Sequence, residues 1–394
     1  MNSAVRLTCG LVACLVMEIF VAGWRTGAAA AANSSEDVAA HPNKQDTKIV
    51  KSWDPKAAAA YLDRRQSWWM KWPRAQRDHG TFCVSCHTAL PYALSRSALR
   101  RALAEQAPSP NERRLLDSVT KRVRLWKEVE PFYKAADRGP YKSVESRGTE
   151  SVLNALILSS RDAQSGQLSN DARTAFENMW AEQQTAGKQQ GAWFWLRFKN
   201  EPWEADDSDY FGATLAAVAI GIAPGNYRAT PEVQTSLNLL REYLNREFAV
   251  QTTINRVLLL WAAAKLRGLL EPDRQKAIIG ELLEKQQADG GWSLFSLSGD
   301  WKRADGTSQE TTSDGYATGL ITLALQRAGI SPENAKLKRG LAWLIANQEK
   351  TEGSWPAYSL NKSKENHISP ETALFMNDAA TSYAVLSLTA ANRR

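Results

Sequence analysis

The chain has 394 residues, 49 Lys or Arg against 42 Asp or Glu, and a formal charge of +7. Four cysteines, 43% hydrophobic and 23% charged residues exclude a disulfide scaffold, a disordered chain and a polytopic membrane protein. The chain has fifteen tryptophans, an unusually high number that requires a structural explanation.

The N-terminal sequence has the pattern of an export signal. Residues 1–32 combine the positive Arg6, an apolar run and a stretch of small residues suited to cleavage. Residues 33–48 are polar, lack apolar periodicity and are interpreted as a linker. We therefore expect an exported, periplasmic protein. A less favoured alternative is a lipoprotein anchored through Cys14, since the preceding residues look like a lipobox.

The remaining residues, 49–394, read as one domain of helices separated by Gly- and Pro-marked loops, with almost no strand. Mostly apolar helices, which we expect to be buried, begin near positions 85, 148, 209, 252, 314 and 378. Amphipathic helices alternate with them. Six such hairpins can close into a ring around a central cavity, so the prediction is an all-α (α/α)6 toroid.

Three amphipathic helices end in Gln, Gly and Trp, with the tryptophans at Trp193, Trp292 and Trp355. Glycine permits the left-handed turn that ends a helix, and Trp and Gln can cover its open end. These segments resemble the QW repeats of the squalene-hopene cyclase and terpenoid cyclase/prenyltransferase toroids. The resemblance is strongest over 260–392, with traces from about 150, and implies a single barrel of that kind.

Cys83-Val84-Ser85-Cys86-His87 matches the C-x-x-C-H sequence of c-type haem attachment. On a helical turn this spacing places Cys83, Cys86 and His87 on one face, where two thiols reach the haem vinyl groups and the imidazole reaches the iron. The prediction is one covalent haem c per chain, with His87 as the proximal ligand. A local disulfide is the alternative in an oxidising compartment.

The sixth iron ligand has several candidates. Outside the signal they are His41, His79, His367, Met70, Met179 and Met376. Ring closure brings the last inner helix beside the first, which favours Met376 or His367 just before it. An open sixth position is also compatible with the sequence.

The acidic segment 204–209 resembles the D-x-D-D-T motif with which class II terpene cyclases protonate an alkene. The resemblance implies Asp206 and Asp207 as catalytic acids, although Glu204 and Ser208 depart from the motif. Asp209, Asp314 and Asp378 recur at helix starts, which favours N-capping instead. Paired carboxylates of a glycan-processing toroid are a further alternative.

Basic charge is concentrated around the haem motif, in a module at about 60–130. Residues 63–130 hold 14 Lys or Arg against 7 Asp or Glu. The arginines and lysines considered are Arg64, Arg65, Arg74, Arg77, Arg96, Arg100, Arg101, Arg113, Arg114, Lys121, Arg122 and Arg124. Such a rim suits an acidic redox partner, an anionic membrane surface or the haem propionates. Solvated outer helices are the simpler explanation, and nucleic acid is not expected for an exported protein.

The leading hypothesis is an exported mono-haem protein active in electron transfer or haem-dependent redox chemistry, with an apolar or isoprenoid-like small molecule as a candidate ligand. One alternative is a single-barrel terpenoid cyclase using Asp206 and Asp207. The other is a ligand-binding scaffold with a structural haem.

Overall fold

A computed structural model describes residues 52–392, and their regular structure is almost entirely helical. The helices are α1 Pro55–Lys71, α2 Ala89–Ala102, α3 Pro110–Arg124, α4 Ala135–Arg138, α5 Pro140–Asp162, α6 Asn170–Ala181, α7 Asp209–Ile222, α8 Gln234–Arg246, α9 Thr253–Ala263, α10 Pro272–Glu284, α11 Gly315–Arg327, α12 Ala335–Ala346 and α13 Phe375–Ala391. Two-residue strands, β1 Gln76–Arg77 and β2 Thr81–Phe82, pair antiparallel before α2. The expectation of an all-α chain is confirmed.

Six helices form a closed inner ring. α2, α5, α7, α9, α11 and α13 contact one another in that order, and α13 returns to α2. The outer helices α1, α3, α6, α8, α10 and α12 each pack against a member of this ring. Inner helices are buried around most of their circumference, as in α11, where every residue from Gly315 to Gln326 is buried. Their apolar sequence on all faces follows from that position.

The Gln and Trp residues form a repeated clamp at the ends of outer helices. In each case the indole Nε1 donates to a carbonyl in the preceding outer helix, and Gln Nε2 donates to a carbonyl at or beside the start of a following outer helix. The indole bonds are Trp193 to Met179 (2.6 Å), Trp292 to Leu282 (2.6 Å) and Trp355 to Leu344 (2.7 Å). The amide bonds are Gln183 to Ser236 (2.9 Å), Gln286 to Lys336 (2.7 Å) and Gln348 to Asp54 (2.9 Å).

The third clamp closes the ring. Gln348 Nε2 donates to the carbonyl of Asp54, and the Asp54 N–H donates back to Gln348 Oε1 at 2.6 Å. Asp54 is the N-cap of α1, so the last outer helix is bonded to the first. Gly353, with φ +78°, lies against the backbone of Ala57, where a Cβ would be only 2.4 Å from a carbonyl carbon. This glycine is therefore required for the close approach of the segment after α12 to the start of α1.

Several sequence expectations fall outside the described residues, namely the signal peptide 1–32, the linker 33–48, Cys14 and His41. The described residues belong to one compact unit, 49–394. Within positions 52–392, no helix combines the length and apolarity needed to cross a bilayer.

Candidate haem site

The Cys83–His87 segment is not a helical turn, contrary to the expectation from its spacing. It runs as extended chain and turn between β2 and α2, and the helix begins only at Ala89. The reason is Ser85, whose Oγ accepts from the N–H groups of Thr88 (3.2 Å) and Ala89 (3.0 Å). A side chain that accepts from these early N–H groups favours a helix that starts after it in the sequence. The motif therefore precedes the first inner helix.

Both motif cysteines are free thiols. Cys83 and Cys86 are buried and make no disulfide in this structure. Burial raises the pKa of Cys83 to about 12 and that of Cys86 well above its ordinary value. The local disulfide considered from the sequence is therefore not what this structure contains. Two protonated thiols instead face a common cavity.

The imidazole of His87 lies in an aromatic surround. Its ring stacks on Phe375, with centroids 3.6 Å apart, and has Trp69 edge-on at 5.1 Å and Trp203 tilted at 5.6 Å. Burial lowers the pKa of His87 well below its ordinary value, and the positive charge of Arg65 acts in the same direction. The neutral imidazole that results is the form that binds a metal.

Hydrogen bonding distinguishes the two nitrogens of His87. Nδ1 lies 2.9 Å from Thr88 Oγ1, and that hydroxyl donates to Asp378 Oδ2 at 2.6 Å. Nε2 has no hydrogen-bond partner among the described residues. An imidazole held through Nδ1 with Nε2 left bare is the arrangement of a metal-ligating histidine. The donor set present here therefore fits a c-type haem.

A cavity of about 210 Å³ gathers the predicted ligands. Cys83, Cys86 and His87 line it together with Met376 and His367. Met376 is buried, whereas His367 is partly exposed. Ring closure is the cause, since α13 packs directly on α2. The two preferred candidates for the sixth ligand thus share the cavity of the motif.

The other candidates within the described residues, Met70, Met179 and His79, do not line this cavity. Met70 and Met179 are buried in helices α1 and α6. His79 is exposed in the turn between β1 and β2, with φ 54°. Among the described residues, no group of three or more His, Cys, Asp or Glu side chains is arranged to hold a bare metal ion.

The acidic segment contributes one residue to the cavity, and it is not one of the two predicted catalytic acids. Glu204 lines the cavity, and burial raises its pKa to about 7. Asp206 is exposed and Asp207 is half-buried, and neither side chain lines the cavity. The geometry therefore gives no support to Asp206 and Asp207 as acids acting on a ligand held there.

The recurring aspartates are N-caps in one case of three. Asp314 caps α11 by accepting from the Ala317 N–H at 2.9 Å. Asp209 is the first residue of α7 and pairs with Arg197, while Asp378 is the fourth residue of α13. Capping therefore explains the recurrence only in part.

Half of the basic residues named from the sequence are paired with acids in the structure. Six of the twelve residues form ion pairs with acids: Arg64, Arg65, Arg96, Arg100, Arg122 and Arg124. A hollow of about 610 Å³ next to Cys83 is nevertheless lined by Arg74, Arg77 and Arg138, with Asp137 as its acid. It shares Trp69, Trp72, Tyr133 and Phe198 with the main cavity. Positive charge thus remains at one side of the motif.

Three contributors to the site gave no signal in the sequence. Phe375 and Trp203 enclose His87, and Thr88 bonds it. Trp203 also lines the cavity, and its ring packs against that of Tyr316, with centroids 6.1 Å apart.

Neither a protein-family model nor a curated protein matches the chain. Among the similar solved structures are two that match over most of their length. A glycosidase has 14% identity and a TM-score of 0.46, covering 84% of this chain and 98% of its own. A polysaccharide lyase has 12% identity and a TM-score of 0.48, covering 86% of this chain and 97% of its own. Likeness at this level does not extend to activity.

Proposed function

We propose that this protein is an exported mono-haem c-type protein on a squalene-cyclase-like toroid, acting in electron transfer or haem-dependent redox chemistry. One observation carries the proposal. A single cavity is lined by the two free thiols and the imidazole of a C-x-x-C-H motif, with Nε2 of that imidazole bare, and by two further candidate ligands, Met376 and His367.

The residues have separate roles. Cys83 and Cys86 would hold the haem c through thioether bonds to its vinyl groups, and His87 would ligate the iron through Nε2. Met376 or His367 would supply the sixth ligand, and a thioether in that role would favour a higher potential than an imidazole. When bound, haem iron exchanges one electron between its ferrous and ferric forms.

The surroundings of the cavity suit such a group. Trp69, Trp203 and Phe375 cover the imidazole and exclude water from it. The hollow lined by Arg74, Arg77 and Arg138 offers counter-charges for the two propionate carboxylates. The same arginines form a docking area for an acidic redox partner or an anionic membrane surface.

The export signal proposed at residues 1–32 would carry the protein out of the cytoplasm. This agrees with the proposed cofactor, because c-type haem attachment takes place outside the bacterial cytoplasm. The repeated Gln and Trp clamps support kinship with the squalene cyclase toroids. An apolar or isoprenoid-like molecule remains our proposal for a ligand within the ring.

Covalent haem is tested by expressing the full chain with a c-haem maturation system. The purified protein should carry the mass of one haem and give the absorption spectrum of a c-type pyridine haemochrome. Cys83→Ala with Cys86→Ala should abolish covalent haem, and His79→Ala should not, since His79 is exposed outside the cavity. Absence of haem from the wild type, while a known c-type cytochrome is loaded in the same cells, would overturn the proposal.

Carbon monoxide separates redox catalysis from a structural or electron-carrying haem. A reduced protein whose Soret band shifts with carbon monoxide has an accessible iron, as a catalyst of ligand chemistry requires. The burial of Met376 favours a filled sixth position. We therefore expect little shift in the wild type and a clear shift in Met376→Ala if that residue is the ligand.

A further inference from the structure

Asp378 joins the first and last hairpins at a fully buried point behind His87. Its side chain is 1% exposed and accepts four hydrogen bonds. Arg65 donates Nε to Oδ1 (2.7 Å) and Nη2 to Oδ2 (2.9 Å), and Tyr61 donates to Oδ1 at 2.9 Å. All partners are donors, and the guanidinium contact is bidentate. This geometry is that of an ionised carboxylate.

The fourth donor, Thr88, sets the direction of the next bond. A threonine hydroxyl has one proton, and Thr88 donates it to Asp378 Oδ2 at 2.6 Å. Toward His87 Nδ1, 2.9 Å away, the same oxygen can only accept. Nδ1 must therefore carry the imidazole proton, and Nε2 must present its lone pair.

We propose that Asp378 and Thr88 are positioning residues that hold His87 in the Nδ1–H tautomer and make its Nε2 a stronger donor to iron. The claim about iron rests on the proposed function, whereas the claim about the tautomer does not. Hydrogen bonding of the far imidazole nitrogen to a negative group raises ligand basicity and stabilises the higher oxidation state.

A purely structural role would not require the relay through Thr88. Arg65 and Tyr61 already satisfy the Asp378 carboxylate and connect α1 to α13. Thr88 adds a path from that carboxylate to the ligand nitrogen. Because Asp378 lies on α13 and His87 precedes α2, closure of the ring also orients the iron-binding nitrogen.

The first experiment determines the tautomer of His87 by long-range ¹H–¹⁵N NMR of the histidine rings, in the full chain before haem loading. The sequence has only four histidines, so His87→Gln assigns the signal. The wild type should show a protonated Nδ1 and an unprotonated Nε2 at position 87. A protonated Nε2 would overturn the relay, whether or not the chain binds haem.

The haem-loaded protein then tests the effect on iron. Thr88→Val removes the hydroxyl at nearly constant volume. It should raise the midpoint potential, increasing the ratio of reduced to oxidised protein about five- to tenfold at a fixed electrode potential, as expected for losing one hydrogen bond. In a Met376→Ala background, where the ferrous iron is expected to be five-coordinate, Thr88→Val should also lower the iron–histidine stretching frequency. Thr88→Ser should restore both values.

Thr214→Val is the matched control, because Thr214 is equally buried and its hydroxyl bonds only a carbonyl of its own helix, that of Tyr210. It should leave the potential unchanged. An unchanged potential and stretching frequency in folded Thr88→Val would overturn the role toward iron. Failure of the wild type to load haem would instead contradict the proposed function and leave the NMR result to decide the tautomer.

Discussion

Phe375 stacks on His87, with ring centroids 3.6 Å apart and planes inclined by 25°. The two residues are 288 positions apart, and the contact exists because α13 begins beside the segment that leads into α2. One face of the imidazole is thereby covered, so Nε2 is reached along the edge of the ring. Phe375, the first residue of α13, therefore completes the surroundings of His87, which precedes α2.

Replacement of Phe375 by Ala should destabilise the protein by about 2 kcal/mol, less than for a fully buried phenylalanine because Phe375 is partly buried. The measurement is urea-induced unfolding followed by tryptophan fluorescence. Phe295→Ala is the control, since Phe295 is 40% exposed, and it should cost less than about 0.5 kcal/mol. Equal effects of the two replacements would argue against the stacking contact.

The clamp that closes the ring should contribute measurably to stability. Gln348→Leu removes two donated bonds, to Asp54 and Gly353, and the bond accepted from the Asp54 N–H. Since these groups are near solvent, we expect a loss of about 1–2 kcal/mol. Hydrogen exchange should show faster opening at the start of α1. Gln106→Leu, in an exposed loop, should change neither quantity, and protection of α1 equal to the wild type would contradict ring closure by this residue.

Two glycines should respond to alanine with opposite signs. At Gly212 in α7, a Cβ would lie 2.1 Å from the ring of Trp195, a buried side chain with no room to move. Gly212→Ala should cost about 3 kcal/mol or more through overpacking. At Gly280 in α10 a Cβ meets nothing within 4 Å, so Gly280→Ala should stabilise by about 0.5–1 kcal/mol through helix propensity. Thermal unfolding measures both, and a stable Gly212→Ala protein would mean that α7 does not approach Trp195 so closely.

The ring and its clamps were predictable because their signals are local. A Gln, Gly and Trp within a few residues of each other report how one helix ends, and apolar residues on all faces report burial. The helix start at Ala89 was not predictable from the C-x-x-C-H spacing, since it depends on the Ser85 side chain accepting from Thr88 and Ala89.

Contacts between distant positions account for the remaining differences. The basic excess of residues 63–130 suited either a positive rim or solvated outer helices, but Arg65 is bonded to Asp378 and Arg122 to Glu150 inside the fold. No local pattern identifies those partners. The enclosure of His87 by Phe375 likewise depends on how the ring closes rather than on the motif itself.

Glu204 should make stability depend on pH in a defined direction. Burial raises its folded-state pKa to about 7, against about 4.3 in an unfolded chain. Between those values the folded protein holds a proton that the unfolded chain has lost. Stability from this group is therefore greatest below pH 4.3, falls as the pH rises toward 7 and is constant above it.

Glu204→Gln keeps the size and polarity of the side chain and removes its ionisation. The free energy of unfolding of this variant should exceed that of the wild type by a margin that grows by about 1–3 kcal/mol between pH 5 and pH 8, allowing for partial solvent screening of the half-buried group. Urea titrations at several pH values measure it. Asp206→Asn, exposed two positions away, should follow the wild type throughout. A constant difference between wild type and Glu204→Gln across this range would mean that Glu204 is already ionised in the folded protein at pH 5, and that the cavity wall is wetter than its burial indicates.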